Sequence, residues 1–135
     1  MAEVKRTSRV GNGMRKLRVL AVDDNQFNLR ICREIFEHLG CDVDVVGSGE
    51  AALELVSVNH YDMICLDRFM PGLPGDEVAA RLPTELFVVA WSTETANLPP
   101  RYNQVLPKPV SIAAAAGVLA RAISTAPLKL RFDTL

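Results

Sequence analysis

The sequence predicts an α/β domain: a parallel sheet with helices on both faces. Two observations carry that prediction. Short apolar runs alternate with segments whose apolar residues recur at helical spacing, the pattern of a repeated strand–helix unit. Four of the runs also end in a chemically active group: Val22-Asp23-Asp24, Leu66-Asp67, Trp91-Ser92 and Leu106-Pro107-Lys108-Pro109. Parallel strands bring their carboxyl ends to one edge of the sheet, where open α/β folds place ligands.

The elements follow in order. Residues 1–16 carry Lys5, Arg6, Arg9, Arg15 and Lys16 against one acid, Glu3, and read as a flexible basic arm. Arg18 to Val22 is a buried strand. Asn28, Ile31, Cys32, Ile35, Phe36 and Leu39 then recur at helical spacing, and Gly40 stands where a left-handed cap belongs. Val43, Val45 and Val46 suggest a second strand. Ser48 is placed to cap a helix whose inward face is Ala52, Leu55 and Val56. Met63 to Leu66 is continuously apolar, as a strand covered on both faces must be.

After Asp67 comes a loop rich in proline and glycine, then a short helix from Asp76 to Leu82, stopped by Pro83. Leu86 to Trp91 is the most apolar strand. Only residues 93–104 remain for the next crossover, and Pro99-Pro100 lies among them. Proline inside a helix costs about 3 kcal/mol, so this crossover is expected to be a loop with at most one helical turn. Ser111 caps a last helix with Ile112, Ala116, Leu119 and Ile123 inward. A close helix–sheet contact is the simpler account of its alanines; a homodimer through this helix is the other. The domain is thus 17–124. The tail, 125–135, is too short for a DNA-binding module.

Composition narrows the function. The chain has 135 residues, 49% of them hydrophobic and 23% charged, enough for one domain with its own core. Fifteen basic against sixteen acidic residues give no argument for a nucleic-acid or membrane surface. No apolar run reaches membrane-spanning length and no secretory leader is evident, so a cytoplasmic location is expected. Cys32, Cys41 and Cys65 lack metal or redox spacing and read as reduced, small apolar residues. His38 and His60 have no partner at metal-ligand spacing.

The strand ends carry the chemistry. Asp23-Asp24 alone reads as a helix cap, Asp67 alone as a turn residue, and Ser92 and Lys108 alone as ordinary loop groups. Their coincidence on four strand ends favours one pocket. Carboxylates this close repel, and a hard dication such as Mg2+ resolves the conflict with oxygen ligands and phosphate oxygens; zinc prefers nitrogen or sulfur. Asp67, ending the middle strand, is the candidate nucleophile for an acyl phosphate. Lys108 would neutralise one phosphoryl oxygen and Ser92 would donate a hydrogen bond to another.

These residues resemble the receiver domain of two-component response regulators. Val22-Asp23-Asp24-Asn25 is similar to the acidic pair of that family. The segment from Asp67 through Met70-Pro71 to Gly75 resembles its phosphoacceptor loop, Val88 to Ser92 its hydroxyl-bearing strand, and Lys108-Pro109 its lysine–proline pair. The likeness spans roughly 17–124. It implies a flavodoxin-like, doubly wound sheet of five parallel strands in the order 2-1-3-4-5. It further implies Mg2+ held by the Asp24 and Asp67 side chains and the Phe69 backbone carbonyl, with Asp23 acting mainly through water, and a cis Lys108-Pro109 peptide. The partner it implies is a histidine kinase or a histidine phosphotransfer protein, with output expected through contacts with a partner or by draining phosphate.

The chain departs from the family pattern at the missing fourth helix, part of the usual output face. Val105 also stands where an aromatic reporter is common, three residues before the lysine; Trp91 or Tyr102 are candidates for that part, with core packing the simpler role for Trp91. Thr93 replaces the common small residue beside the hydroxyl. Phe69 and Glu94 sit where family members tune loss of the phosphoryl group. The Asp24-Asn25-x-x-Asn28 opening resembles receivers of phosphorelays and hybrid kinases. Two other readings stand beside the phosphoacceptor. One is a phosphorylation-independent pseudo-receiver that binds a partner through its altered crossover. The other is a haloacid-dehalogenase-type phosphatase, which needs a second acid two residues past the nucleophile, where this chain has Phe69.

Overall fold

The computed structural model describes residues 16–125; apart from Lys16 and Thr125, the predicted basic arm and tail lie outside them. The strands are β1 (Arg18–Val22), β2 (Asp42–Val46), β3 (Met63–Asp67), β4 (Phe87–Ser92) and β5 (Gln104–Pro107). The helices are α1 (Gln26–His38), α2 (Gly49–Val58), α3 (Gly75–Ala80) and α4 (Ile112–Thr125). All strand pairs are parallel and the order is β2-β1-β3-β4-β5, as the resemblance implied.

The strands are buried on both sides because alternate residues serve two cores. Val19, Ala21, Met63, Cys65, Val89 and Trp91 face one layer with Leu29, Cys32 and Phe36 of α1 and Ala115, Val118 and Ala122 of α4. Leu20, Val22, Ile64, Leu66, Val88 and Ala90 face the other with Ala52 of α2 and Val78 and Ala79 of α3. Full burial of each larger apolar side chain contributes about 1.5–3 kcal/mol. Cys32, Cys41 and Cys65 are free thiols inside the core, as expected.

Local signals act where they were read. Asn25 caps α1 by accepting the Asn28 amide at 3.0 Å, and Ser48 caps α2 by accepting the Ala51 amide at 3.1 Å. Gly40 follows α1 at φ 94°, a conformation costly for residues with a Cβ. Residues 93–103 contain no helix, in keeping with Pro99-Pro100. Tyr102 donates its amide to the Pro99 carbonyl, and Asn103 bonds Val88 through both backbone and side chain.

One expectation needs correction. α4 turns Ala115, Val118 and Ala122 to the sheet, while Ile112 and Ile123 are exposed. The expected stripe, Ile112-Ala116-Leu119-Ile123, has the same helical period but the wrong phase; Leu119 only borders the core. Small side chains let the helix approach the sheet closely, so size selected the face where periodicity could not. Ala115 and Ala122 are thereby used in a helix–sheet contact. α3 is also shorter than expected, beginning at Gly75 and ending at Ala80.

Candidate phosphoryl and metal site

The register of the sheet assembles the site. Val22 pairs with both Val46 and Leu66, Asp67 is level with Trp91, and Ser92 is level with Pro107. The residues that follow β1 and β5, Asp23 and Lys108, are therefore carried to the same edge as Asp67 and Ser92. Backbone bonds continue the ladder past the strands: the Asp23 amide donates to the Val46 carbonyl and the Lys108 amide to the Ser92 carbonyl.

Four of the predicted residues, Asp23, Asp24, Asp67 and Lys108, converge. One carboxylate oxygen from each of Asp23, Asp24 and Asp67 lies within 4.8 Å of the others. Lys108 Nζ donates to Asp23 Oδ2 at 2.7 Å and sits 3.3 Å from Asp67 Oδ1. Asp23 and Asp67 are buried, whereas Asp24 is exposed. Because Asn25 takes the capping role, Asp24 is left to the pocket. An all-oxygen donor set of three carboxylates with one ammonium group suits a hard dication.

Asp23 is held in place by the Asn25 amide on Oδ1 at 2.9 Å and the Asn28 side-chain amide on Oδ2 at 3.1 Å. Asp67 Oδ1 accepts the Phe69 amide at 3.3 Å. Burial raises the Asp67 carboxyl above its ordinary range, and the Asp23 charge pushes the same way; Lys108 and the Phe69 amide oppose them only in part. The site thus stores like-charge repulsion that a bound cation would relieve.

Ser92 is buried, and its Oγ accepts the Glu94 amide at 3.1 Å, which leaves its proton to donate. Trp91 is buried in the core, and its ring lies 4.9 Å from Lys108 Nζ, a cation–π contact that helps fix the ammonium group. Lys108-Pro109 is a cis peptide. Phe69 is exposed beside the pocket.

Gly75 closes the loop after Asp67. Its amide donates to the Arg68 carbonyl at 3.0 Å, and a Cβ there would collide with the Asp67 carbonyl oxygen and the Arg68 Cα. One cluster was not foreseen. Arg68 is buried, grips Asp76 through Nε (3.1 Å) and Nη2 (3.0 Å), and stacks 5.0 Å from the Phe69 ring. Tyr102 donates its hydroxyl to the same Asp76 at 2.7 Å. An arginine and an aspartate eight residues apart around a turn were visible in the sequence, but nothing there placed Tyr102 beside them.

Comparison with known proteins agrees with the geometry. The family model described as response regulator receiver domain matches residues 19–114. The virulence sensor protein BvgS of Bordetella pertussis is 44% identical over 66 residues, 49% of this chain and 5% of that protein. The aerobic respiration control sensor protein ArcB of Escherichia coli is 38% identical over 66 residues, 49% of this chain and 8% of that protein. The chain thus spans only a small part of the length of these two relatives. Among solved structures, a CheY-like response regulator receiver domain from Methylobacillus flagellatus superposes with a TM-score of 0.72 at 28% identity, covering 79% of this chain and 98% of that one. The receiver domain of the Francisella response regulator 1452 gives the same TM-score and identity, covering 82% of this chain and 99% of that one.

Proposed function

The chain belongs to the response regulator receiver domain family, and from that premise we propose that Asp67 accepts a phosphoryl group from a phosphohistidine. The donor is a sensor kinase or a histidine phosphotransfer protein. The observation that carries this reading is the placement of Lys108 between Asp23 and Asp67, with the carboxylates of Asp23, Asp24 and Asp67 drawn together.

In the reaction, a carboxylate oxygen of Asp67 attacks phosphorus, the bond from phosphorus to the histidine nitrogen breaks with its electron pair passing to that nitrogen, and the ring, already protonated on its other nitrogen, leaves as neutral imidazole. Lys108 neutralises one phosphoryl oxygen and the Ser92 hydroxyl donates to another, so the protein's part is positioning and charge. Mg2+, held by Asp24, Asp67 and the Phe69 carbonyl with Asp23 acting through water, would supply the remaining charge neutralisation. The result is an acyl phosphate carried as a signal, without turnover of a substrate. Cytoplasmic placement belongs to the same reading, and no helix among the described residues is long and apolar enough to cross a membrane.

Docking of the donor is supported by where large apolar side chains are exposed. Phe27 follows Asp24 by three residues, Phe69 follows Asp67 by two, and Ile112 follows Lys108 by four; their exposures are 68%, 59% and 52%. Such residues beside a charged pocket suit a protein partner. The likeness to the two sensor proteins favours a place in sensor signalling, and the Asp24-Asn25-x-x-Asn28 opening favours a phosphorelay. A second reading, a phosphorylation-independent interaction module, is favoured by one observation: the crossover at 93–103 has no helix.

Intact mass after incubation with Mg2+ and acetyl phosphate decides between them. We expect one phosphoryl adduct, absent from Asp67→Asn and absent when the metal is chelated. No adduct on the unmodified chain would leave the interaction module standing. The bulk of Phe69 at the pocket should also obstruct the water that hydrolyses the acyl phosphate. Phe69→Asn should then shorten the adduct's half-life severalfold, and an equal or longer half-life would rule that obstruction out.

A further inference from the structure

Strand parity gathers four side chains on one face of the site. Met63, Cys65, Val89 and Trp91 face the layer formed by α1 and α4, and Asp67, two residues past Cys65 and level with Trp91, shares their side. Ala21 and Leu106 face the same layer, and backbone bonds continue the ladder to Asp23 and Lys108, two residues further along each chain segment. Trp91 is therefore the apolar neighbour of the Lys108 ammonium group: its ring centroid lies 4.9 Å from Nζ. The Lys108 side chain is only 14% exposed, so water screens the attraction between charge and ring weakly.

Packing alone does not account for an indole at this position. Trp91 is 1% exposed, and its Nε1 has no hydrogen-bond partner among the described residues. A buried N–H without an acceptor is destabilising, and an apolar side chain would avoid that cost. What the indole offers over an apolar residue is its face, the strongest cation binder among the aromatic side chains.

Resting on the phosphoacceptor reading, we propose that Trp91 is a positioning residue that holds the Lys108 ammonium group at Asp67 while the phosphoryl group arrives. A lysine side chain is a flexible four-carbon stem ending in a point charge, so its end must be fixed by what it touches. Its other contacts, Asp23 Oδ2 at 2.7 Å and Asp67 Oδ1 at 3.3 Å, are to carboxylates. Both contacts change as the reaction proceeds: Asp67 becomes the acyl phosphate, and Nζ turns from Asp23 toward a phosphoryl oxygen. The ring is neutral and unaltered by phosphoryl transfer, so its hold persists through the transition state. Without that hold the ammonium group is less well placed, and the step slows although every charged group remains.

The rate of phosphorylation by acetyl phosphate in saturating Mg2+, followed by intact mass on the full chain, tests this role. Trp91→Met keeps an apolar side chain and removes the π face. It should slow the maximal rate about tenfold, a barrier rise of about 1.4 kcal/mol, while Mg2+ affinity measured by calorimetry stays within about twofold. Trp91→Phe restores a weaker face and should recover much of the rate. The decisive comparison is made in the Lys108→Met background, itself slow. There Trp91→Met should cost less than about twofold more, because a residue acting through Lys108 has nothing left to position. If Trp91→Met is too unstable to assay, Trp91→Phe runs the same cycle with a smaller effect. The proposal is overturned by an equal loss with and without Lys108, by equal rates for the Met and Phe variants, or by Mg2+ affinity falling in step with the rate. Any of these would reduce Trp91 to core packing. A parent chain that takes no adduct shows a different failure, that of the phosphoacceptor reading, and the positioning role falls with it.

Discussion

Asp67 is the residue where function and stability pull apart. Its folded carboxyl is raised above the ordinary 3.8 by burial and by Asp23, so the folded state holds its proton more tightly than the unfolded state. Below 3.8 both states are protonated and the residue contributes nothing differential. As pH rises from there through the folded value, the unfolded state releases its proton first and stability falls; above the folded value the loss is complete. Asp67→Asn removes this penalty. In chelator at pH 7 the variant should melt higher than the parent, and the difference should shrink toward pH 4. Circular-dichroism melts at the two pH values check this, and a lower melting temperature at pH 7 would show that Lys108 outweighs burial and Asp23. Asn25 and Asn28 illustrate what was hard to read at this scale. Both were visible in the opening of the first helix, but that their amides fix the Asp23 carboxylate depended on rotamers no pattern encodes.

Among the elements, the β3–α3 loop is the most tightly specified. Gly75 belongs there because the chain passes so close to the Asp67 carbonyl and Arg68 that a Cβ has no space, and the atoms it would meet are mostly backbone. Gly75→Ala should cost about 1–3 kcal/mol or more, as overpacking does where neighbours cannot yield, and it should displace the loop after Asp67 as well. A thermal melt within a degree of the parent would contradict that steric account. The other elements differ in how far the sequence exposed them. β3 and β4 were legible as continuous apolar runs, and the helix-less crossover was legible because Pro99-Pro100 left too little chain for a helix. The buried face of α4 was misread: Ile112 and Ile123 were the more hydrophobic choice, but Ala115 and Ala122 are the ones whose size lets α4 lie against the sheet. Hydrophobic period finds a helix reliably and its phase poorly when both faces are apolar. The Arg68–Asp76–Tyr102 contact escaped for a further reason, since a loop of undetermined path carries Tyr102 to its partner.

At the scale of the whole molecule, the site and the core are linked by thermodynamics. Cys32, Cys41 and Cys65 lie in the single layer shared by α1, α4 and one face of the sheet, and burial pushes the Cys41 thiol up to about 12. The thiolate is the reactive form, so a disulfide reagent at pH 8 reaches these groups only when the layer opens. All three should therefore label together and slowly in the native protein, and at once in guanidinium chloride. When closing is fast relative to reaction, the labelling rate follows the population of the open state. An ion bound by Asp23, Asp24 and Asp67 stabilises only the folded form, because the three carboxylates converge only when β1 and β3 are paired. Mg2+ at about one hundred times its dissociation constant should add about 2.7 kcal/mol and slow labelling about a hundredfold. Asp67→Asn should blunt that response, although it starts from a more stable fold in the absence of metal. Equal labelling rates with Mg2+ and with chelator would mean that the acidic trio does not take the ion in the folded state. Fast labelling of Cys41 alone would instead mark local opening at the start of β2, the strand at one edge of the sheet.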